Sequence, residues 1–99
     1  MATFISTIKF TPKGVQSFHE SPKRAAAFIT AAKKLGVRVV GLYWTLGPFD
    51  GVIVFEAPDD KAATAAMLSL ASKGNVQTTT TRAFDAAEFE KVIGTLGKK

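Results

Sequence analysis

Val52-Ile53-Val54-Phe55 is apolar at every position, and Val39-Val40-Gly41-Leu42-Tyr43-Trp44 is nearly so. A strand with one wet face alternates apolar and polar residues, whereas a continuous apolar run belongs to a strand covered on both faces. Any fold of this chain must therefore find cover for both sides of its middle strands.

The flanking segments say how much of that cover is local. Phe4 to Phe10 alternates, with Phe4, Ile8 and Phe10 on one side and Ile5, Thr7 and Lys9 on the other, which predicts a first strand. Thr11-Pro12-Lys13-Gly14 breaks it. A short helical turn is expected around Val15 to Phe18. Ser21-Pro22 then opens a helix, with serine as the cap and proline at the first helical position. Ala25, Phe28, Ile29, Ala32 and Leu35 recur at helical spacing before Gly36 stops it.

Val37 to Leu46 predicts a second strand. A tight connection, Leu46-Gly47-Pro48-Phe49-Asp50-Gly51, leads into a third at Val52 to Ala57. Pro58-Asp59-Asp60 starts the next helix with acids near its positive end. That helix carries Ala62, Ala63, Ala66, Met67, Leu70 and Ala71 and stops near Gly74. Asn75 to Ala83 predicts a fourth strand, dominated by Thr78-Thr79-Thr80-Thr81. Asp85 caps a last helix running through Phe89, Val92, Ile93 and Leu96.

Residues 1–99 thus predict one α+β domain of order βαββαβ with an extra C-terminal helix. Its simplest closure is a ferredoxin-like antiparallel sheet with two helices on one face. Two helices leave the opposite face bare. A second copy of the chain is the expected cover, because homodimers are the commonest oligomers. The alternative cover is the C-terminal helix folded back across the sheet.

Composition narrows the class. Hydrophobic residues make up 46% and charged residues 21% of the 99, as in ordinary globular domains. The absence of cysteine removes disulfide and thiolate chemistry and fits a cytoplasmic setting. The opening residues lack a basic leader and a long apolar core, so no signal peptide is expected. No stretch approaches the roughly 18 to 20 apolar residues of a membrane span. The net charge of +5 invites a nucleic-acid partner, but its cations are scattered as Lys23-Arg24, Lys33-Lys34 and Lys98-Lys99 with singles between. A solvated surface accounts for them.

Several segments together resemble the GYD-domain family: Ser21-Pro22-Lys23-Arg24-Ala25, Gly41-Leu42-Tyr43-Trp44-Thr45-Leu46-Gly47-Pro48-Phe49-Asp50 and Glu56-Ala57-Pro58-Asp59-Asp60. The likeness continues through Gly74-Asn75-Val76 and Arg82-Ala83-Phe84 and so covers essentially the whole chain. The family's Gly-x-Tyr-Asp pattern reads Gly47-Pro48-Phe49-Asp50 here, so a role needing a phenol at position 49 is not available. The family is bacterial, of unsettled function, and grouped with the dimeric α/β barrels. There, two ferredoxin-like sheets face each other and enclose a cavity in each half. The resemblance therefore implies a homodimer or higher homo-oligomer, in agreement with the burial argument.

A cavity between sheet faces would be lined by one parity of each strand. Thr7 and Lys9 on the first strand, Tyr43 and Thr45 on the second, and Thr78, Thr80 and Arg82 on the fourth are the expected ligand-binding set. Hydroxyls, cations and an aromatic wall suit a small, partly apolar ligand, anions included. The competing reading makes the threonines ordinary β-branched residues of a half-exposed edge strand. Trp44 is expected on the apolar face with Val40, Leu42 and Leu46, and Tyr43 on the more polar one.

Two residues are candidates for catalysis. Asp50 sits where the connection meets the third strand, placed for proton transfer; the same Asp-Gly pair is also ordinary turn chemistry. His19 is the single histidine, in an irregular stretch beside Glu20. No metal site is expected from one histidine, no cysteine and unpaired carboxylates, and no cofactor. Phosphate-loop, serine-nucleophile and dinucleotide motifs are lacking.

Three functions compete. The first is a small-molecule-binding homodimer without catalysis. The second is a cofactor-independent oxygenase or isomerase acting on a small aromatic compound in the inter-sheet cavity, which leaves open whether the chain is an enzyme. The third is RNA recognition, since RNA-binding domains share the βαββαβ order. Aligning Phe55 with the last aromatic of their third-strand motif puts Asp50 and Val52 where stacking aromatics are required, so no nucleic acid is expected.

Overall fold

The computed structural model describes residues 1–97; Lys98 and Lys99 lie outside the described residues. Its strands are β1 (Ala2–Phe10), β2 (Arg38–Trp44), β3 (Gly51–Ala57) and β4 (Val76–Ala83), in one sheet of order β2-β3-β1-β4. Every neighbouring pair is antiparallel. Helices α1 (Pro12–Gln16), α2 (Ser21–Lys34), α3 (Asp60–Ala71) and α4 (Ala86–Gly94) complete the chain, with a 3₁₀ turn over Phe18–Glu20. The ferredoxin-like α+β architecture is as the patterning requires.

The core lies between the sheet and α2 and α3. Phe4, Ile8, Ile53 and Phe55 from the strands meet Phe28, Ala32, Ala63, Ala66 and Met67 from the helices. The Phe4 and Phe55 rings stack with centroids 5.4 Å apart and planes 15° from parallel. Small alanines on both helices let the sheet come close. Ser6 is the polar exception in this layer, fully buried, and its Oγ accepts the Thr80 hydroxyl at 3.0 Å, so its polarity is not wasted.

Local chemistry departs from expectation at two helix starts. The first strand breaks at Thr11-Pro12 as expected, but the short helix starts here rather than near Val15: the Thr11 hydroxyl accepts the Gly14 N–H at 3.0 Å, and Pro12 takes the first helical position. Ser21 does not cap α2. It is the helix's first residue, buried, and its hydroxyl accepts from Arg24 at 3.4 Å, while Glu20 in the capping position makes no side-chain cap bond. The predicted cap at Asp85 is present as a reciprocal box with Glu88, and Asp59 caps α3 by accepting the Ala62 N–H.

The sheet's second face is open. Register places Thr79, Thr7, Val52 and Tyr43 in one row across all four strands, and Thr81, Ile5 and Val54 in the next. The two central strands present Ile5, Val52 and Val54 here, with Thr7 among them. One rim carries the Arg38–Glu56 ion pair at 3.0 Å and the other Lys9. A bulge between Val39 and Gly41 adds a residue to β2, which shifts Val40 out of step with Leu42 and Trp44 and leaves it 53% exposed. The Tyr43 ring lies over Gly41, so close that an added Cβ would meet it at 2.9 Å.

Helix α4 does not fold back across this face. It buries no residue, and Phe89, Val92, Ile93 and Leu96 stay exposed. The chain is consequently elongated, 54 × 31 × 17 Å, with a radius of gyration of 15.2 Å against about 13 Å for a compact chain of this length. No helix among the described residues is long and apolar enough to cross a membrane.

Candidate functional site

A cavity of about 220 Å³ opens on the helix side of the sheet, between the N-terminal half of α2, the C-terminal end of α3 and the strand ends. It exists because its neighbours are small: Ser21 and Ala25 on α2, Ser69 on α3 and Gly51 on β3 leave room that larger side chains would fill. Phe10, Phe28, Leu42, Trp44 and Leu70 supply predominantly apolar walls. The polar groups on its lining include Asp50, Arg24, Lys73 and Asn75.

Asp50 is held twice. Its N–H donates to the Ile8 carbonyl at 2.8 Å, and its Oδ2 accepts the Phe10 N–H at 2.8 Å. The residue thereby ties the β2–β3 connection to the end of β1, and its carboxylate closes a backbone donor that the sheet leaves unpaired. Its other oxygen makes no hydrogen bond among the described residues.

Arg24 reaches out of α2 to fasten the segment before it. Its Nη1 donates to the Ser17 carbonyl and hydroxyl at 3.3 and 3.0 Å, and its Nη2 to the Gly14 carbonyl and Ser21 hydroxyl at 3.3 and 3.4 Å. All four acceptors are neutral. Gly14 is itself pressed against the start of β4: a Cβ there would stand 1.9 Å from the Asn75 carbonyl oxygen.

The expected ligand-binding residues do not converge. Thr7 and Tyr43 share a row on the open face, with Lys9 one residue pair along β1 from Thr7. The Lys9 ammonium donates to the Pro48 carbonyl at 3.3 Å. Thr45 falls in the hairpin connection, where its hydroxyl donates to the Phe49 carbonyl at 2.7 Å. Arg82 lies on the other side. Its pairing with Phe4 puts it on the helix face with Thr78 and Thr80, its guanidinium covers the Phe4 and Phe84 rings, and it pairs with Glu88 at 3.5 Å. Period-2 counting correctly grouped Arg82 with Thr78 and Thr80, but the antiparallel register with β1 turns that group away from Thr7 and Lys9.

His19 sits exposed in the 3₁₀ turn, edge-on to Phe18, and is not on the cavity lining. No cluster of three potential metal ligands occurs among the described residues. Trp44 pairs with Gly51, on the helix side with Ile8, and Tyr43 with Val52 on the open side. Arg24, Phe28, Leu70 and Lys73 were not singled out for a site from the sequence. The available signal was the set of small residues at 21, 25, 51 and 69, which becomes a cavity only when three elements meet.

Comparison with known proteins supplies the context. The family model for the GYD domain matches residues 4–93. A Thermus thermophilus protein named "Glutamine synthetase and cystathionine beta-lyase binding protein" is 39% identical over 90 residues, covering 90% of this chain and 95% of that protein. Two solved structures share the fold. TTHA0845, also from Thermus thermophilus, superposes with a TM-score of 0.57 at 24% identity, over 87% of this chain and 96% of that one. The dehydrochlorinase TftG from Burkholderia phenoliruptrix, solved with 2,5-dihydroxybenzoquinone, gives 0.64 at 15% identity, over 86% and 96%. At these identities the two structures speak to architecture alone.

Proposed function

This chain belongs to the GYD-domain family, and from that footing we propose that it is a small-molecule-binding homodimer of the dimeric α/β-barrel kind. Two copies set their open sheet faces together, and each keeps a ligand cavity on its helix side. The observation that carries the reading is the cavity of about 220 Å³ with aromatic walls and a few polar groups on its lining. An engineered apolar cavity of about 150 Å³ takes benzene, so this volume suits one ring with a substituent. An apolar centre inside a polar rim is the usual anatomy of a protein interface, and the open face sets Ile5, Val52 and Val54 between Lys9 and the Arg38–Glu56 pair.

Binding rather than catalysis is the reading because the lining's carboxylate, Asp50, forms no ion pair with Arg24 or Lys73 among the described residues. Asp50 spends one oxygen on the Phe10 N–H, and His19 lies elsewhere. A panel of single-ring compounds screened by thermal unfolding tests it, alongside sedimentation of the free protein. Stabilisation of the wild type that disappears when Gly51→Leu fills the cavity supports the reading; a monomer that no compound stabilises sinks it.

A protein partner is the second reading. The Thermus relative is named for binding two enzymes, and here α4 projects an apolar stripe of Phe89, Val92 and Ile93 that its own chain leaves exposed. Surface-immobilised glutamine synthetase and cystathionine beta-lyase are the direct probes. Binding abolished by Ile93→Asp supports this reading, and binding by neither enzyme removes it.

A further inference from the structure

The polar lining of the cavity carries two cations, Arg24 and Lys73, against one carboxylate, Asp50. Among the described residues the ion pairs are Arg38–Glu56 and Arg82–Glu88, so neither Arg24 nor Lys73 has a carboxylate within salt-bridge distance. Arg24 is half-buried and rigidly held by four neutral oxygens, which fix the guanidinium without cancelling its charge. Lys13 adds a third positive charge close by, its ammonium donating to the Lys73 carbonyl at 3.0 Å. These groups belong to one end of the fold, since Arg24 bonds Gly14 and the adjacent Lys13 bonds Lys73.

The helix behind them has the same sign. Ser21 at the start of α2 lines the cavity, and no side chain caps the first-turn N–H groups there. Such a terminus carries a partial positive charge that favours an anion. Against these stands one carboxylate on the lining, Asp50, already accepting from Phe10. Cations bordering an apolar, poorly screened space hold a positive potential within it.

We infer that the cavity selects single-ring aromatic anions, the ring lying among Phe10, Phe28 and Trp44 and the acid group turned towards Arg24 and Lys73. The inference rests on the proposed ligand cavity and adds the ligand's charge and shape. Asp50, on the same lining, disfavours a second negative charge and offers its free oxygen to a hydroxyl donor on the ring. Monoanionic benzoates are therefore the class.

Calorimetric titration with benzoate, benzyl alcohol and benzylamine tests this, with fluorescence of Trp44, the chain's single tryptophan, as the local readout. Benzoate is expected to bind at least tenfold more tightly than benzyl alcohol at low salt. Lys73→Gln, an exposed change that spares the Arg24 strut, is expected to remove most of that preference. Equal affinity for the three probes, or tighter benzylamine, overturns the anion preference and leaves the cavity reading standing. Failure of all three to bind or to alter Trp44 emission overturns both.

Discussion

The Asp50 carboxylate accepts the Phe10 backbone N–H at 2.8 Å across a sequence separation of 40 residues. One side chain thus joins the β2–β3 connection to the last residue of β1 at the edge of the cavity. Because the donor is part-buried, its loss is more than a lost surface contact. Asp50→Ala is expected to cost about 1.5 kcal/mol in urea unfolding, and Asp50→Asn, which keeps an acceptor oxygen, less than half as much. Equal losses in the two variants would mean that the hydrogen bond is not what Asp50 contributes.

Gly14 tests the packing of α1 against the start of β4. A Cβ at that position meets the Asn75 carbonyl at 1.9 Å, and the obstacle is backbone, which cannot swing aside. Gly14→Ala is expected to cost about 2 to 3 kcal/mol, at the upper end for overpacking. Its displacement also pulls on Thr11, which bonds the Gly14 N–H, and on Arg24, which bonds its carbonyl. Unfolding at the wild-type denaturant midpoint would contradict the close approach.

Val54 separates the two sheet faces cleanly. It lies between Ile5 and Gly41 in the open-face row, while Phe55 beside it is fully buried under the helices. Val54→Lys places a charge at the centre of the proposed dimer contact without entering the core. Sedimentation velocity is expected to show a monomer with an unchanged far-ultraviolet circular dichroism spectrum. A variant that stays dimeric would place the contact elsewhere.

Ile93 on α4 is 50% exposed and its helix buries nothing. In the Val54→Lys background, Ile93→Ser is expected to change stability by less than about 0.5 kcal/mol, as for a surface site. A loss above about 1.5 kcal/mol would show α4 docked on its own chain.

The strands, the main helices and the bare second face were legible because each rests on local periodicity. The apolar parity of β1 at Phe4, Ile8 and Phe10 needs no partner to be read, and the run at Val52–Phe55 demanded two covers where two helices give one. Relations between strands were not legible. Four successive threonines look alike from either side, so nothing local said that Thr79 rather than Thr80 would stand beside Thr7. The extra residue at the Val39–Gly41 bulge likewise moved Val40 off the parity of Trp44. The cavity itself comes from small residues on α2, α3 and β3, a coincidence of three elements that no single stretch announces.

The most direct test is to map amide shifts in the ¹⁵N-labelled protein titrated with benzoate. The cavity reading predicts shifts concentrated at Phe28, Trp44, Gly51 and Leu70, with Ile5, Val54 and Thr79 on the open face unmoved. Shifts confined to the open face, or none at any residue, would contradict a ligand site between the helices and the sheet.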